Sequence, residues 1–230
     1  SVTNAHLNLL RLLPKEEIPL WRAVAAGLLK FWAADTNVAF ALVKCARDED
    51  PLVRSTSAQS LEFVSAETIP EAEITLQRLL ADPVRAVRVR AAWALRRTIA
   101  ATNVAAVDLI RSMDQSRDHP SGLLQLGVWN LDRGDVDTAL TYLRRAVEWD
   151  GGSPPLRQAL AVAHSIRREP AKAVMELREA CRLAPRDAEY RYKLGLALNE
   201  MEDLPGATAA LEDAVKLNPL YARAWYNLGL

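Results

Sequence analysis

Apolar residues recur along this chain at helical spacing, and the runs are punctuated by Pro, Gly, Asp and Asn. That pattern predicts helix throughout. The first set of helices is expected near 2–13, 17–34, 36–47, 51–65, 69–80, 83–100 and 102–115. A polar, turn-rich stretch, Asp114–Ser121, follows. The second set is expected near 121–133, 136–149, 155–167, 170–183, 188–201, 204–217 and 221–230. Asp50-Pro51 and Asp82-Pro83 read as helix starts, because Asp caps free N–H groups and Pro suits the first turn.

The second set repeats itself. Slid along itself until Pro120 meets Pro154, it brings Leu126-Gly127, Leu160-Ala161, Leu194-Gly195 and Leu228-Gly229 into register. So do Ala139, Ala173 and Ala207, then Leu143, Leu177 and Leu211, then Ala146, Ala180 and Ala214. Pro185 and Pro219 close two units, with Gly151 in the first. Units begin near Pro120, Pro154, Ala188 and Ala222, the last one truncated. These columns resemble the tetratricopeptide repeat, most closely at Ala224-Trp225-Tyr226-Asn227-Leu228-Gly229, and the constant period matches that motif's length. Gly or Ala after the Leu lets the two helices of a unit approach closely, and Pro ends the second helix. The aromatic expected near each unit's start survives only as Trp225; Leu123, Arg157 and Arg191 replace it elsewhere.

The first set carries another period. Pro19, Pro51 and Pro83 are evenly spaced, a little more closely than the units of the second set. Each precedes an Arg and a run of small residues, around Arg22, Arg54 and Arg88, with Leu29, Leu61 and Leu95 following. This resembles the second helix of HEAT repeats, and the resemblance implies that Asp and Arg of successive units pair along the stack. The expected fold is therefore all-α, a right-handed α-α superhelix (solenoid) of antiparallel helix pairs. HEAT-like repeats occupy 1–118 and tetratricopeptide repeats 119–230, forming one curved rod.

HEAT-like units joined directly to tetratricopeptide units also resemble the C-terminal region of large bacterial multihaem cytochrome c proteins. Residues Arg78 to Arg88 carry most of that likeness. The resemblance implies an exported or periplasmic parent whose repeat region docks a partner or the cytochrome part; without it, the location expected is cytoplasmic. The haem-binding C-x-x-C-H motif does not occur here, so no cofactor is assigned to these residues. The stop at Leu230, inside a predicted helix, reads as a cut piece of a longer chain. Its apolar end face suggests end-to-end self-association.

Composition narrows the function. Lys+Arg and Asp+Glu are 29 each, so no net field draws the chain to nucleic acid or an acidic membrane. No apolar run is long enough to span a bilayer, and no signal peptide is recognisable. Cys45 and Cys181 stand alone and read as core residues, not a disulfide or metal pair. His6, His119 and His164 lie in separate segments without catalytic partners, and His164 reads as a packed or groove residue. Gly151-Gly152-Ser153 is a turn, not a phosphate loop. Arg85, Arg88, Arg90, Arg96 and Arg97 read as a solvated face or as partners of neighbouring acids. Trp32, Trp93, Trp129 and Trp149 are expected to fill gaps between helices.

What remains is recognition of a protein or peptide, the rest of its own polypeptide included, with no catalytic, cofactor or metal site. In tetratricopeptide arrays the first helix of each unit lines the concave face. The resemblance therefore places Leu124, Gln125, Val128, Gln158, Val162, Tyr192, Leu196, Asn199 and Tyr226 in a groove suited to an extended peptide or a helix. The Lys and Asn of the carboxylate clamp found in some chaperone-binding members are not reproduced, so acidic C-terminal tails are not the expected ligand.

Overall fold

The computed structural model describes residues 5–229; the expected helix start at residue 2 and helix end at residue 230 lie outside them. Among the described residues there are fourteen α-helices. They are α1 Ala5–Leu12, α2 Pro19–Leu29, α3 Thr36–Cys45, α4 Pro51–Leu61, α5 Pro70–Leu79, α6 Arg85–Ala94 and α7 Val104–Asp114, then α8 Pro120–Asp132, α9 Val136–Trp149, α10 Pro154–Ile166, α11 Pro170–Leu183, α12 Ala188–Glu200, α13 Leu204–Leu217 and α14 Ala222–Leu228. The chain divides into two compact units, Ser1–Ser112 and Met113–Leu230, and the division falls inside α7. Each predicted helix is present. Several in the first unit end earlier than expected, because their last turns tighten: Lys30–Trp32 is a 3-10 turn, and Phe63 N–H and Thr98 N–H bond the carbonyls three residues back.

In the first unit α2, α4 and α6 pack side by side. Small residues permit it: Ala26, Ala58 and Ala92 are fully buried, and Ser60 Oγ donates to the Ala26 carbonyl at 2.9 Å. The N-terminal ends of these helices are joined by a ladder. Arg22 grips Asp48 through Nε and Nη2, both at 2.9 Å. Arg54 grips Asp82 at 2.7 and 3.1 Å. Arg88 grips Asp108 on α7 at 3.0 and 2.6 Å. The remaining Nη1 of each Arg donates to the two carbonyls that precede its own helix, those of Glu16 and Glu17, of Asp48 and Glu49, and of Asp82 and Pro83. Each guanidinium therefore fastens its own loop and the next repeat together.

Asp82 corrects one expectation. It does not cap α6, which starts at Arg85 after Val84; its Oδ1 instead accepts the Val84 N–H at 2.9 Å while the carboxylate holds Arg54. Asp50 does cap α4, accepting from Leu52 N–H at 2.8 Å. The rungs are consequently less regular than the prolines: the step from Arg54 to Arg88 is longer than the step from Arg22 to Arg54. Arg96 is also committed, to Glu62 at 2.6 Å, and lies over the Trp93 ring. The tryptophans are corrected in part. Trp129 is buried and Trp32 stacks on His6, but Trp149 is 53% exposed, because it ends α9 beyond the last covered turn.

The second unit repeats α8/α9, α10/α11 and α12/α13, with α14 opening the next pair. Its turns follow the same period: Gly134, Arg168 and Glu202 all adopt positive φ, at 81°, 61° and 62°. The N–H that follows each one returns to the carbonyl five residues before it, on Asn130, His164 and Leu198.

Asp82→Ala should cost about 2–3 kcal/mol by leaving Arg54 unpaired, while Arg54→Met with Asp82→Leu should cost less than either single change; denaturant titration reads both. Burial pushes the Asp48 and Asp82 carboxyls up, but the Arg22 and Arg54 bonds and the Asp50 and Val84 amides outweigh it and hold both below the usual range. A lowered carboxyl stabilises above its unfolded value of about 3.9, and that support is lost as pH falls through the folded value. Acid should therefore loosen the first unit from about pH 4 downward, read by circular dichroism against pH. In the turns, Arg168→Gly and Glu202→Gly should each raise stability by about 1 kcal/mol and Gly134→Ala should lower it, since only glycine adopts that φ without strain; thermal melts decide.

Candidate functional site

The second unit is held by side chains that fit glycine notches. A Cβ on Gly127 would sit 2.5 Å from Leu143 Cγ, and one on Gly195 would sit 2.8 Å from Leu211 Cγ. Ala161, 1% exposed, takes the same place in the middle unit. Where the aromatic is replaced by Arg157, the structure supplies a polar substitute. Arg157 Nη1 donates to the buried Glu176 carboxylate at 2.8 Å, and its Nε donates to the Gly151 carbonyl at 3.1 Å. Trp225, which keeps the aromatic, donates through Nε1 to the Pro219 carbonyl at 2.9 Å.

With second helices covering one side, the first helices present their other side. Leu124, Gln158, Tyr192 and Tyr226 recur at the repeat spacing; Val128, Val162 and Leu196 follow one turn later on the same face. Gln125, Val162, Asn199 and Tyr226 are exposed; Leu124, Val128, Gln158, Tyr192 and Leu196 are half-buried. Leu124 packs against Leu140, Leu143 and Leu160, so it is floor more than contact surface. Tyr192 packs on Leu211 and Ala214 and lies 4.9 Å from the Tyr221 ring, with Asn227 Nδ2 at 3.4 Å from its hydroxyl. Tyr221 in turn donates its hydroxyl to Glu189; burial and that carboxylate push the phenol upward. Ile166, 51% exposed and one turn beyond Val162, belongs to the same face. Its spacing from Val162 is the signal that marks it.

The other candidate chemistry is occupied. His164 is buried, with Nδ1 2.7 Å from a Glu169 oxygen that Lys172 also reaches at 3.1 Å. Lys172 and His164 hold the Glu169 carboxyl below its usual range. Both cysteines are free and buried, and burial pushes the Cys45 thiol up to about 11. Among the described residues no group of three His, Cys, Asp or Glu could hold a metal, and no helix is long and apolar enough to cross a membrane.

Arg157→Ala should destabilise the second unit by about 2 kcal/mol, since Glu176 would keep a buried charge without its partner. Adding Glu176→Gln should recover part of that loss in a denaturant-based double-mutant cycle.

No protein-family model matches the chain. It is 34% identical over 122 residues to the type IV pilus assembly protein PilF of Pseudomonas aeruginosa, a match covering 52% of this chain and 47% of PilF. The chain thus spans about half the length of that curated relative. Among solved structures, MamA 41-end from Desulfovibrio magneticus RS-1 matches with a TM-score of 0.50 at 20% identity, covering 62% of this chain and 82% of that one. The first TPR of Spaghetti (RPAP3) bound to HSP90 peptide SRMEEVD aligns at a TM-score of 0.47 and 20% identity, covering 49% and 90%. The described chain is all-helical, and the repeating columns, the glycine notches and the periodic turns make the second unit an array of helix pairs of the tetratricopeptide type.

Proposed function

We propose that the second unit is a non-catalytic interaction module that takes an extended peptide or an amphipathic helix of a partner protein along the first-helix face. The observation that carries this reading is the set of apolar side chains left open on the first helices α10 and α14. Val162 is 39% exposed, Ile166 51% and Tyr226 83%. They stand beside the amides of Gln125, Gln158 and Asn199, which can bond a peptide backbone without selecting charge. Leu124, Val128, Tyr192 and Leu196 form the floor beneath them. The likeness to a pilus assembly protein is in keeping with a role in holding proteins together. The first unit, on this proposal, is a HEAT-like array fastened by its Arg–Asp ladder.

The column Leu124, Gln158, Tyr192 and Tyr226 carries no cation to receive a terminal carboxylate. Against a peptide array, Val162→Asp and Tyr226→Ala should each weaken binding by about tenfold, in line with one interfacial anchor being worth about 1–2 kcal/mol. The peptide SRMEEVD should bind no better than a scrambled control. Undiminished binding in both variants, or a clear preference for acidic C-termini, would rule the groove out.

A further inference from the structure

The three parallel helices of the first unit allow each position to be compared with its own repeats. Trp21 on α2 corresponds to Val53 on α4 and Val87 on α6. Val53 and Val87 are 0% exposed, whereas Trp21 is 55% exposed. Leu28 corresponds to Ser60, which is 1% exposed and bonded to α2; Leu28 is 43% exposed. Trp21 and Leu28 therefore occupy the positions at which α4 packs on the helix before it. On α2 that side is open.

The ladder is open at the same edge. Glu16, Asp48 and Asp82 are equivalent: each stands six residues before its Arg, and each carboxylate accepts the N–H two residues on at 2.9 Å. Each also gives its backbone carbonyl to that Arg, at 3.2, 2.9 and 2.9 Å. Asp48 and Asp82 receive the arginine of the preceding repeat, Arg22 and Arg54. Among the described residues no cation pairs with Glu16.

We infer that the α2 edge of the first unit is a docking surface for one more repeat helix in series, whose apolar side chains cover Trp21 and Leu28 and whose arginine pairs with Glu16. Charge complementarity selects this occupant over others. A second copy of the chain would have to give up a rung of its own to extend the ladder, because Arg22, Arg54 and Arg88 are all engaged. A lipid surface is disfavoured: the only charged residue on α2 is Arg22, tied to Asp48, and the loop before the helix presents the acids Glu16 and Glu17.

The test fuses a second copy of residues 34–65, which carries α3, α4 and Arg54, ahead of the full chain. If the edge seats a repeat, Trp21 emission moves to shorter wavelength, read as the difference from a Trp21→Phe version. The melting midpoint of the first unit also rises by about 5 °C. Glu16→Gln in the fusion, or Arg54→Met in the added copy alone, should remove at least half of that rise, and Glu16→Asp should keep it. In the unfused chain Glu16→Gln should leave the midpoint unchanged, since an amide oxygen still accepts from Ile18. The inference fails if the fusion leaves Trp21 emission unchanged, or if its gain is indifferent to Glu16→Gln. It also fails if the unfused chain dimerises through this edge in sedimentation, or binds phosphatidylglycerol vesicles, in a manner abolished by Trp21→Asp.

Discussion

Each helix of either unit can bury its apolar stripe only against the other helix of its pair and the pair next to it, since a stacked array has no common centre. Stability therefore rests on how closely adjacent helices approach. The second unit achieves this with a branched side chain seated in a notch, Leu143 over Gly127 and Leu211 over Gly195. The first unit has few such notches. Ala26, Ala58, Ala92 and Ser60 let α2, α4 and α6 approach, Leu29, Val53, Leu61 and Val87 fill the core beside them, and arginines that each bring two donors to a carboxylate add specificity at one end of the stack. Two physical solutions to one constraint explain why the halves of the chain read so differently in sequence.

The ionic solution is more demanding than the apolar one. A leucine in a notch tolerates small displacements, whereas a guanidinium holding a carboxylate and two carbonyls fixes loop, helix and neighbour together. The step between rungs can still lengthen after Arg54, because the ladder specifies only the short span from acid to Arg and leaves the intervening helix and loops free to differ. The arginines keep step with the helix starts, Pro19, Pro51 and Arg85, whereas Pro83 lies ahead of α6, so even proline spacing does not report the register of the ladder.

Much of the fold is legible because helical periodicity and the repeating columns report burial directly, as at Leu126, Ala139 and Leu143. Asp82 misleads because an Asp-Pro pair looks the same whether the carboxylate caps a helix or grips an arginine 28 residues upstream. The turn residues Arg168 and Glu202 give no warning, since nothing in a charged side chain announces a positive φ. In the groove, register picks the face but not the depth. Leu124 and Tyr192 lie in the right columns yet are partly spent on packing, whereas Ile166 lies outside those columns although it is open. Depth depends on which neighbour leans over a position, and a single helix's periodicity does not contain it.

Exposure alone is a poor guide to function in such an array, as Trp149 shows: it is open because its helix ends there, beyond the last covered turn. Trp21 is open to nearly the same degree, but its equivalents in the next two rungs are closed, and the Glu16 carboxylate in the loop before its helix repeats a geometry that is occupied by arginine in those rungs. A repeat protein carries its own control in this way. The difference between equivalent positions, not the exposure of any one of them, separates a surface built for contact from a side chain that has merely run out of neighbours.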